Sequence, residues 1–590
     1  MDDALTALRS LFGFEAFRPG QAEAVDAALA GRDALVVMPT GAGKSLCYQL
    51  PALMRDDLTI VVSPLVSLMQ DQVEALERVM GAHPPRAVLV NAQQDAAVNR
   101  AALDRAIAGD VRLLYVAPER FSSPGFAQAL HEARIGLFVV DEAHCVSQWG
   151  HDFRPDYFRL ADAARWLGAD AIVASTATAT PQVANDIARR LGLRDPVRVA
   201  TGFDRPNLSF TVVPCRGAAD KRARLAAALE KENARPAIVY AGTRAETEDL
   251  AQALEAALGV EVLAYHAGLA RHERAEGQRR FMSGEIEVVV ATNAFGMGID
   301  KADVRTVAHA TVPGSVEAYY QEAGRAGRDG LPARALLFAE SRDKGLHVFF
   351  IQRAEVDDAA LESVAGALLG AAIDGRYDVA LANAGDPEPD RVRAIAGHLA
   401  RAGVIHPAPA PVDRLRGRVM APFDGRARAT CRTSAGDAQS ARWRQYRSVW
   451  AFVEGSDCRR AAILRHFGDR AQPAPDGPCC DVCAPDLVPE RPVPRAVPGG
   501  PPPGDLDAAI VDVVTGAEPS VGRTRTVEIL RGGRSQVVRK NAYDGLPAYG
   551  TFSHLRADEV LARVDELVDE GRLVSTGGAY PKLRLGQVAA

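Results

Sequence analysis

The sequence predicts an α/β protein built from two tandem parallel-sheet lobes, followed by smaller modules. Short apolar runs rich in β-branched residues alternate with segments of helical length. Runs that are apolar on both faces are typical of a parallel sheet covered by helices on both sides. The pattern starts near residue 33 and starts again after residue 200. At 590 residues the chain is too long for one core, so several domains are expected.

The strand-like runs divide into two groups of similar size. Those of the first lobe, bounded at 1–200, are DALVVMP (33–39), LTIVVSP (58–64), VRLLYVA (111–117) and IGLFVVD (135–141). Those of the second lobe, bounded at 201–342, are AIVYAG (237–242), VEVLAY (260–265), EVVVAT (287–292) and ALLFA (335–339). The repetition predicts two lobes of one architecture.

Beyond residue 342 the strand signal weakens. Residues 343–440 predict a helical or winged-helix-like insert, in which 391–405 form an amphipathic helix followed by a strand. Eight prolines between 485 and 504 predict an extended linker over 486–504. Residues 505–590 predict a separate helical domain that closes with a β-hairpin.

Composition and charge bear on the partners of this protein and on its location in the cell. A net charge of -6 gives no global sign of a nucleic-acid partner, so any basic surface must be local. The chain has no run of about 18 apolar residues, and MDDALTALRS at its start lacks the apolar core of a signal peptide. We therefore expect a cytoplasmic protein with no membrane contact.

The segment MPTGAGKS (38–45) predicts a phosphate-binding loop, because it follows the first strand directly and opens a helix. Glycines let the backbone curl around phosphates, and helix-start amides donate to them. Lys44 is predicted to reach the β- and γ-phosphates, and the Ser45 hydroxyl to ligate Mg²⁺. The nucleotide-binding residues of the loop are Thr40, Gly41, Ala42, Gly43, Lys44 and Ser45.

The segment DEAH (141–144) ends a predicted strand of the same sheet. Asp141 is predicted to hold Mg²⁺ through water, and Glu142 to activate the attacking water. An acidic pair at a strand end is often only a helix cap. Its position about 100 residues after a phosphate loop favours the catalytic interpretation.

The second lobe offers arginines in YYQEAGRAGRDG (319–330). Arg325 and Arg328 lie about one helical turn apart, so both can point across a cleft. We predict that Arg328 stabilises the charge that develops on the γ-phosphate. Arg325 is predicted as a second γ-phosphate contact, and Gln321 as a residue that helps to place the water.

These motifs resemble, as an ordered set, those of the RecQ family of superfamily 2 DNA helicases. The other motifs that carry the resemblance are SPLVSLMQDQV (63–73), YVAPER (115–120), STATAT (175–180) and AYHAGL (264–269). It covers residues 1–342 closely and implies two RecA-like lobes. Met38 replaces the glycine of the strict phosphate-loop pattern, as is usual in superfamily 2.

The resemblance implies an ATP-dependent DNA helicase that uses Mg²⁺, moves 3′-to-5′ on single-stranded DNA and acts in repair and recombination. Two rival hypotheses remain at this point. One is an RNA helicase, or a translocase that remodels protein–DNA complexes. The other is an architectural DNA-binding protein with a degenerate nucleotide site.

Further site residues follow from the resemblance. FGFEAFRPGQ (12–21) is similar to an adenine-recognition motif, in which Gln21 reads the base edge and Arg18 lies near the ring. In ATNAFGMGIDKADVR (291–305), Asp300 is expected near the ribose.

CVSQWGHDFRPDY (145–157) resembles the aromatic-rich loop of RecQ enzymes. Bases stack on aromatic and guanidinium planes, so Trp149, Phe153 and Arg154 are expected to sense single-stranded DNA. The alternative is that Trp149 and Phe153 are buried under the loop.

Four cysteines, Cys458, Cys479, Cys480 and Cys483, crowd into a short segment, which indicates a metal rather than disulfides. The segment, bounded at 441–485, resembles the RecQ zinc-binding region, and four thiolates suit tetrahedral zinc. The adjacency of Cys479 and Cys480 departs from the family pattern. It leaves open whether Cys431, His466 or water replaces one ligand, and a reduced, metal-free cluster is the alternative.

The tail resembles the RecQ carboxy-terminal winged helix. Arg531 and Arg534 lie in a basic stretch that is expected to contact phosphates, although charged stretches are often only solvated surface. Tyr580 stands at the predicted wing tip, as a strand-separating wedge or as a plain turn residue. The expected partners are single-stranded and forked DNA and single-strand-binding protein, with a location at the nucleoid.

Overall fold

The computed structural model describes the whole chain except residues 1, 65, 81–85, 92–93, 123, 148–156, 158, 296–300, 409, 412, 491–504, 534, 536, 539–540, 577–580 and 587–590. Contacts divide the chain into two compact units, residues 1–492 and 493–590. Among the helices of the described part, none combines the length and the apolar character needed to cross a bilayer.

The first lobe is a parallel sheet of seven strands with helices on both faces. Its strands are β1 (Ala34–Val37), β2 (Leu58–Val62), β3 (Ala87–Val90), β4 (Leu113–Val116), β5 (Ile135–Val140), β6 (Ala171–Thr176) and β7 (Val197–Ala200). Its helices are α1 (Asp2–Ala7), α2 (Gln21–Leu29), α3 (Leu46–Met54), α4 (Val66–Met80), α5 (Ala96–Ile107), α6 (Pro124–Leu130), α7 (Leu160–Trp166) and α8 (Pro181–Leu191). The strand order is β3-β4-β2-β5-β6-β1-β7. All strands but β7 are buried along their whole length, which explains why their sequences do not alternate.

The second lobe repeats this plan with six parallel strands. They are β8 (Leu208–Pro214), β9 (Ala237–Tyr240), β10 (Val262–Tyr265), β11 (Val288–Ala291), β12 (Thr306–His309) and β13 (Ala333–Ala339). The order is β10-β11-β9-β12-β13-β8. The helices are α9 (Ala218–Glu230), α10 (Arg244–Leu258), α11 (Arg271–Met282) and α12 (Val316–Ala323). The predicted α/β class with two tandem parallel-sheet lobes is confirmed.

Each of the eight predicted runs contains a strand, and five strands were not predicted: β3, β6, β7, β8 and β12. All five pair with a strand that the sequence did predict. Their hydrogen bonds are therefore supplied by neighbours distant in sequence, and local periodicity reports that poorly.

Between the second lobe and the cysteine segment lies a small domain with its own core, which we call the insert. Its elements are α14 (Asp358–Gly370), β14 (Arg376–Ala380), α15 (Pro389–Arg401), β15 (Ile405–Ala408) and β16 (Arg414–Val419). The strands form an antiparallel sheet in the order β14-β16-β15. The helix-then-strand prediction for 391–405 corresponds to α15 and β15.

Three further helices flank the insert and the cysteine segment, namely α13 (Ser341–Arg353), α16 (Gly425–Glu454) and α17 (Arg459–His466). The Asp424 side chain accepts from the Ala427 amide and caps α16. This helix runs through the boundary that we predicted at 440/441, because its first half packs in the insert core and its second half in the lobe core.

The predicted linker, 486–504, begins with packed residues. Val488 lies against the core of the second lobe, and the Pro489 carbonyl accepts from Arg224 Nε at 3.1 Å. Residues 491–504 lie outside the described part.

The second unit contains α18 (Leu506–Gly516), α19 (Arg523–Leu530), α20 (Ala557–Asp569) and an antiparallel pair, β17 (Leu573–Ser575) and β18 (Leu583–Leu585). Its helices and hairpin enclose one apolar core. Gly532 has a φ of 74° and an ideal Cβ on it would lie 3.2 Å from the Gly550 Cα. This close approach requires glycine at the turn after α19.

Candidate active site and zinc centre

The loop between β1 and α3 curls back through two glycines in the left-handed region, Gly41 (φ 87°) and Gly43 (φ 80°). An ideal Cβ on Gly43 would lie 2.6 Å from Gln21 Nε2. Any other residue there would clash as well as strain the backbone. The loop is therefore shaped for close approach to a phosphate chain.

Gln21 and Arg18 hold this loop. Buried Gln21 donates through Nε2 to the carbonyls of Ala42 and Gly43, each at 3.1 Å. Its Oε1 accepts from the Arg18 amide at 2.8 Å. Arg18 Nη1 donates to the Gly41 carbonyl at 2.7 Å. The two residues predicted to contact adenine thus touch the phosphate loop in this structure.

Lys44 extends along the inside of the loop. Its Nζ donates to the carbonyls of Met38, at 3.2 Å, and Pro39, at 3.5 Å. Burial lowers the pKa of Lys44, while the charges of Glu142 and Asp141 partly restore it. The lysine and both carboxylates therefore lie close enough for their charges to interact.

The two carboxylates stand where β5 ends. The Asp141 amide donates to the Val62 carbonyl at 2.8 Å, which ties it to β2. Burial, and then the charge of Glu142, raises the pKa of Asp141 to about 7, against the effect of Lys44. A divalent cation beside this carboxyl would stabilise its ionised form.

Glu142 has a left-handed backbone, with φ 47° and ψ 46°. This conformation costs a non-glycine residue about 1–3 kcal/mol, so the surrounding fold holds it in place. His144 Nδ1 lies 3.2 Å from Glu142 Oε2 and 3.0 Å from Thr176 Oγ1. The carboxylate is thereby joined to the end of β6.

The second lobe presents Arg328 to the phosphate loop. The Arg328 Cγ lies 3.6 Å from the ideal Cβ position of Gly41, and the charge of Arg328 contributes to lowering the pKa of Lys44, after burial. Buried Arg325 instead lies beside Tyr240 of its own lobe, where its charge opposes the burial that raises the pKa of the Tyr240 hydroxyl to about 12. It lines a second-lobe cavity of about 610 Å³ together with Gln321.

Arg205 joins the two walls of the cleft. Its Nη1 donates to the Thr40 carbonyl of the phosphate loop, at 3.3 Å, and to that of Gly324, at 2.9 Å. Its Nη2 donates to the carbonyls of Ala326, at 2.8 Å, and Gly327, at 3.2 Å. The Arg205 guanidinium therefore holds the phosphate loop next to the turn that carries Arg328.

Arg205 belongs to the connection between the lobes, FDRPNL (203–208), which α17 holds from the other side. The Phe203 and Phe467 rings stack at 4.3 Å and 8°, and Asp469 Oδ2 accepts from the Phe203 amide at 2.9 Å. Fully buried Arg460 pairs with Asp204 and donates to the Arg205 carbonyl at 2.8 Å.

The four cysteines converge beside α17. Their Sγ atoms all lie within 4.8 Å of one another, with Cys458–Cys479 at 3.6 Å and Cys480–Cys483 at 3.5 Å. Tetrahedral zinc with Zn–S bonds of about 2.3 Å puts sulfurs about 3.8 Å apart. The donor set fits zinc, and the adjacency of Cys479 and Cys480 does not prevent it.

Local hydrogen bonds favour a thiolate at Cys480. The Arg459 amide donates to Cys480 Sγ at 3.4 Å. Burial opposes the thiolate, but this amide and that of Cys483 lower the pKa of Cys480. The two alternative ligands lie elsewhere: Cys431 is in the insert core, and His466 Nε2 is 2.8 Å from Glu317 Oε1.

The cysteine segment also extends the sheet of the second lobe at β8. The Phe210 amide donates to the Cys479 carbonyl at 3.1 Å, and the Asp481 amide to the Phe210 carbonyl at 3.2 Å. The Val212 amide donates to Asp481 Oδ1 at 3.0 Å. The cysteine segment is thus hydrogen-bonded directly to β8 of the second lobe.

Comparison with known families agrees with this geometry. Four family models match the chain: DEAD/DEAH box helicase over 18–187, helicase conserved C-terminal domain over 220–330, RecQ zinc-binding over 424–484 and RQC domain over 508–590. A probable ATP-dependent DNA helicase RecS of Bacillus subtilis is 39% identical over 349 residues, which span 59% of this chain and 69% of that protein. The chain belongs to the RecQ family of helicases.

Other RecQ relatives are longer than the part they share with this chain. An ATP-dependent DNA helicase RecQ of Pasteurella multocida is 41% identical over 61% of this chain, and the match spans 56% of that protein. The crystal structure of the DUF1998 helicase MrfA bound to DNA and AMPPNP has a TM-score of 0.50 and 21% identity, over 72% of this chain and 62% of that one. This likeness concerns the fold alone.

Several RecQ residues predicted from the resemblance lie outside the described part, namely Asp300, Trp149, Phe153, Arg154, Arg534 and Tyr580. Arg531 is exposed in the second unit, and its Nε donates to the Leu555 carbonyl at 2.9 Å. Sequence reasoning missed Arg205 and Arg460, and it assigned no role to Thr176 within the STATAT motif. The position of FDRPNL at the junction of the two lobes was the available signal for Arg205.

Proposed function

We propose that this RecQ-family chain is an ATP-dependent DNA helicase, a DNA-stimulated ATP hydrolase that moves 3′-to-5′ on single-stranded DNA and unwinds duplexes in repair and recombination. The observation that carries the proposal is the position of Arg328, on the second lobe, against Gly41 of the first-lobe phosphate loop. Hydrolysis in a cleft with walls from two lobes couples chemistry to lobe movement.

In the proposed hydrolysis, water attacks the γ-phosphorus, the bond to the β,γ-bridging oxygen breaks, and ADP and phosphate leave. Glu142 accepts the proton of the water. Lys44 and the loop amides stabilise the phosphate oxygens, and Arg328 stabilises the charge that grows on the γ-phosphate. Ser45 and Asp141 would hold Mg²⁺, which supplies further charge neutralisation.

Supporting roles are proposed for the remaining cleft residues. Arg18 and Gln21 fix the loop and approach the adenine, and Asp300 approaches the ribose. Gln321 and Arg325 would reach the nucleotide after the second lobe moves, since Arg325 is buried within that lobe.

We also propose the DNA contacts. Trp149, Phe153 and Arg154 would stack on single-stranded bases and transmit that contact to His144, which touches Glu142. On the second unit the proposed contacts are Arg531 and Arg534 with phosphates and Tyr580 with the separating strands. Forked DNA, single-strand-binding protein and a location at the nucleoid complete the proposal.

The zinc cluster has a structural role in this proposal. It holds Cys458, before α17, to the segment that pairs with β8, and α17 in turn holds residues 203–208. Four thiolates supply Zn²⁺ with a closed site that has no open position for catalysis.

The test is an unwinding assay on forked duplexes that carry either a 3′ or a 5′ single-stranded tail, with and without ATP, and on matched RNA forks. Unwinding of the 3′-tailed DNA fork alone, and only with ATP, is expected. Lys44→Ala serves as the inactive control with retained DNA binding. ATP-independent strand separation, a preference for RNA, or an unwinding Lys44→Ala variant would contradict the proposal.

A further inference from the structure

The insert presents a row of basic side chains on one face of its sheet. Arg376 of β14, Arg418 of β16 and His406 of β15 lie directly opposite one another across the three strands. Directly opposite residues project from the same face. We call these three residues the arginine row. The insert lies between the stretches matched by the helicase C-terminal model, which ends at residue 330, and the zinc-binding model, which begins at residue 424.

The charges in this row are not compensated by carboxylates. Like charges directly opposite each other destabilise a sheet. Asp378, on the same face, is already bonded to Arg414 at 2.6 Å and to Arg416 at 2.8 Å. Within the part of the chain that the structure describes, no carboxylate oxygen lies within 4.0 Å of a guanidinium nitrogen of Arg376 or Arg418.

The other carboxylates before α15 and at its start have partners of their own. Asp386 pairs with Arg391 at 2.7 Å, Glu388 with Arg353 and Asp390 with Arg393 at 2.9 Å. On the strands, this face carries the four arginines Arg376, Arg414, Arg416 and Arg418 against Asp378, so it keeps a net positive charge, although the whole chain is acidic.

The positive charge continues into the first lobe. Arg159, which precedes α7, donates through Nη1 to the Pro407 carbonyl at 2.9 Å, next to His406. Burial, and then the charges of Arg159 and Arg418, lowers the pKa of His406. Arg159 of the first lobe thus adds a positive charge next to the arginine row.

The side chains around the row favour a duplex rather than a single strand. Single-strand sites use aromatic platforms for bases, and no Phe, Tyr or Trp side chain lies on the described part of this face, since Tyr377 points to the core. The face borders a shallow hollow of about 830 Å³, whose other exposed residues include Ile373 and Met420 (77% and 61% exposed). Exposed guanidinium groups can donate hydrogen bonds to the phosphate oxygens of a duplex.

We propose that the arginine row binds the sugar–phosphate backbone of duplex DNA, and so holds the duplex beside the helicase core. This inference rests on the proposed function, which supplies DNA as the substrate. It adds a duplex contact within the first unit, formed by residues outside both the nucleotide cleft and the carboxy-terminal unit.

The test measures duplex binding of the full-length, zinc-loaded protein by fluorescence anisotropy over a range of salt concentrations, without nucleotide. Each phosphate contact contributes about 0.9 to the slope of log K against log salt for B-DNA. The double variant R376A/R418A is expected to reduce the magnitude of that slope by about 1.8. R376K/R418K is expected to keep it, because lysine also neutralises phosphate.

Two controls make the outcome decisive. I373S/M420S alters the same hollow without changing charge, and its slope should equal that of the wild type. The midpoint of thermal unfolding of R376A/R418A should be equal or higher, since a like-charge pair is removed. An unchanged slope in R376A/R418A, in a protein that still unwinds forks, would overturn this inference alone. A wild-type protein without ATP hydrolysis would overturn the proposed function.

Discussion

The two lobes share one strand order, but a different segment of the chain pairs with the outer edge of the first strand in each lobe. In sequence order β1 corresponds to β8, and each lies beside the last long strand of its sheet, β6 or β13. The outer edge of β1 pairs with β7. The outer edge of β8 pairs with the cysteine segment, through Phe210 and Cys479. A zinc-bearing segment in the second lobe thus occupies the place of a strand in the first.

The lysines that follow these strands along the chain differ as well. After β1, Lys44 faces the nucleotide loop and two carboxylates. After β8, buried Lys221 donates to the Ala310 carbonyl at 2.5 Å and lies 3.3 Å from Glu340 and 3.6 Å from Asp343. Lys44 thus lies in the phosphate loop, whereas Lys221 is bonded to a strand end of its own lobe. This difference supports the proposed division of roles, in which the first lobe performs the chemistry and the second delivers Arg328.

The largest expected effect is the loss of ATP hydrolysis and unwinding when a side chain of the nucleotide cleft is removed. Arg328→Ala should lower the DNA-stimulated kcat for ATP by roughly 10³-fold or more, because the transition-state charge loses its counter-charge. Lys44→Ala and Glu142→Gln should abolish unwinding. DNA binding and the unfolding midpoint should stay close to wild type in all three. Steady-state phosphate release measures the effect, and a residual rate within tenfold of wild type for Arg328→Ala would contradict the assignment.

Lys221→Ala tests the structural role of the buried lysine in the second lobe. Removal of one partner from a buried ion-paired cluster costs about 3–5 kcal/mol, so the free energy of unfolding should fall by that amount. The kcat of the protein that remains folded should change less than threefold. Urea unfolding together with phosphate release measures both. A stable Lys221→Ala variant with no ATPase activity would place the lysine in the catalytic site instead.

Arg205→Ala should uncouple the two walls of the cleft. Misplacement of a catalytic group by about 1 Å can cost roughly 10²-fold in rate, and Arg205 fixes Gly324 and Thr40 relative to each other. We expect a loss of kcat of that order, with KM for ATP altered less than kcat. Arg235→Ala, which removes a second-lobe arginine paired with Glu287, is the matched control. Equal effects of the two substitutions would contradict the positioning role.

The smallest expected effect concerns pH. The pKa of Asp141 is about 7 because of burial and the charge of Glu142. A proton on this carboxyl competes with Mg²⁺, so the carboxyl becomes available to the ion as the pH rises through 7. The Mg²⁺ concentration for half-maximal ATPase activity should rise about tenfold between pH 8 and pH 6. A Mg²⁺ requirement independent of pH over this range would contradict it.

The sequence predicted the lobes because apolar runs buried on both faces are local signals. It missed β7 (VRVA) and β12 (TVAH), which are short and become strands only through their neighbours. In the insert, β16 (RLRGRV) is mostly polar and its pairing with β14 spans about forty residues. Pairing with neighbouring strands, rather than local propensity, decides these strands, since β7 and β16 are largely not buried.

The same distinction applies to the site. Lys44, Asp141 and Glu142 belong to local motifs with a strict spacing, and the structure brings them together. Arg205 and Arg460 escaped notice, because an arginine is by default expected on the surface. Their partners lie between about 120 and 260 positions away. Contacts at such separations leave no periodic trace in the sequence.

The pairing of β8 with the cysteine segment has a consequence for any shortened version of this protein. A fragment cut before Cys458 would leave the backbone groups of Phe210 and Val212 exposed along an outer strand. Unsatisfied strand edges recruit the same edge of another molecule and promote aggregation. A minimal motor prepared from this chain should therefore retain residues to Pro489, and a version ending at residue 342 is expected to precipitate at concentrations that the longer one tolerates.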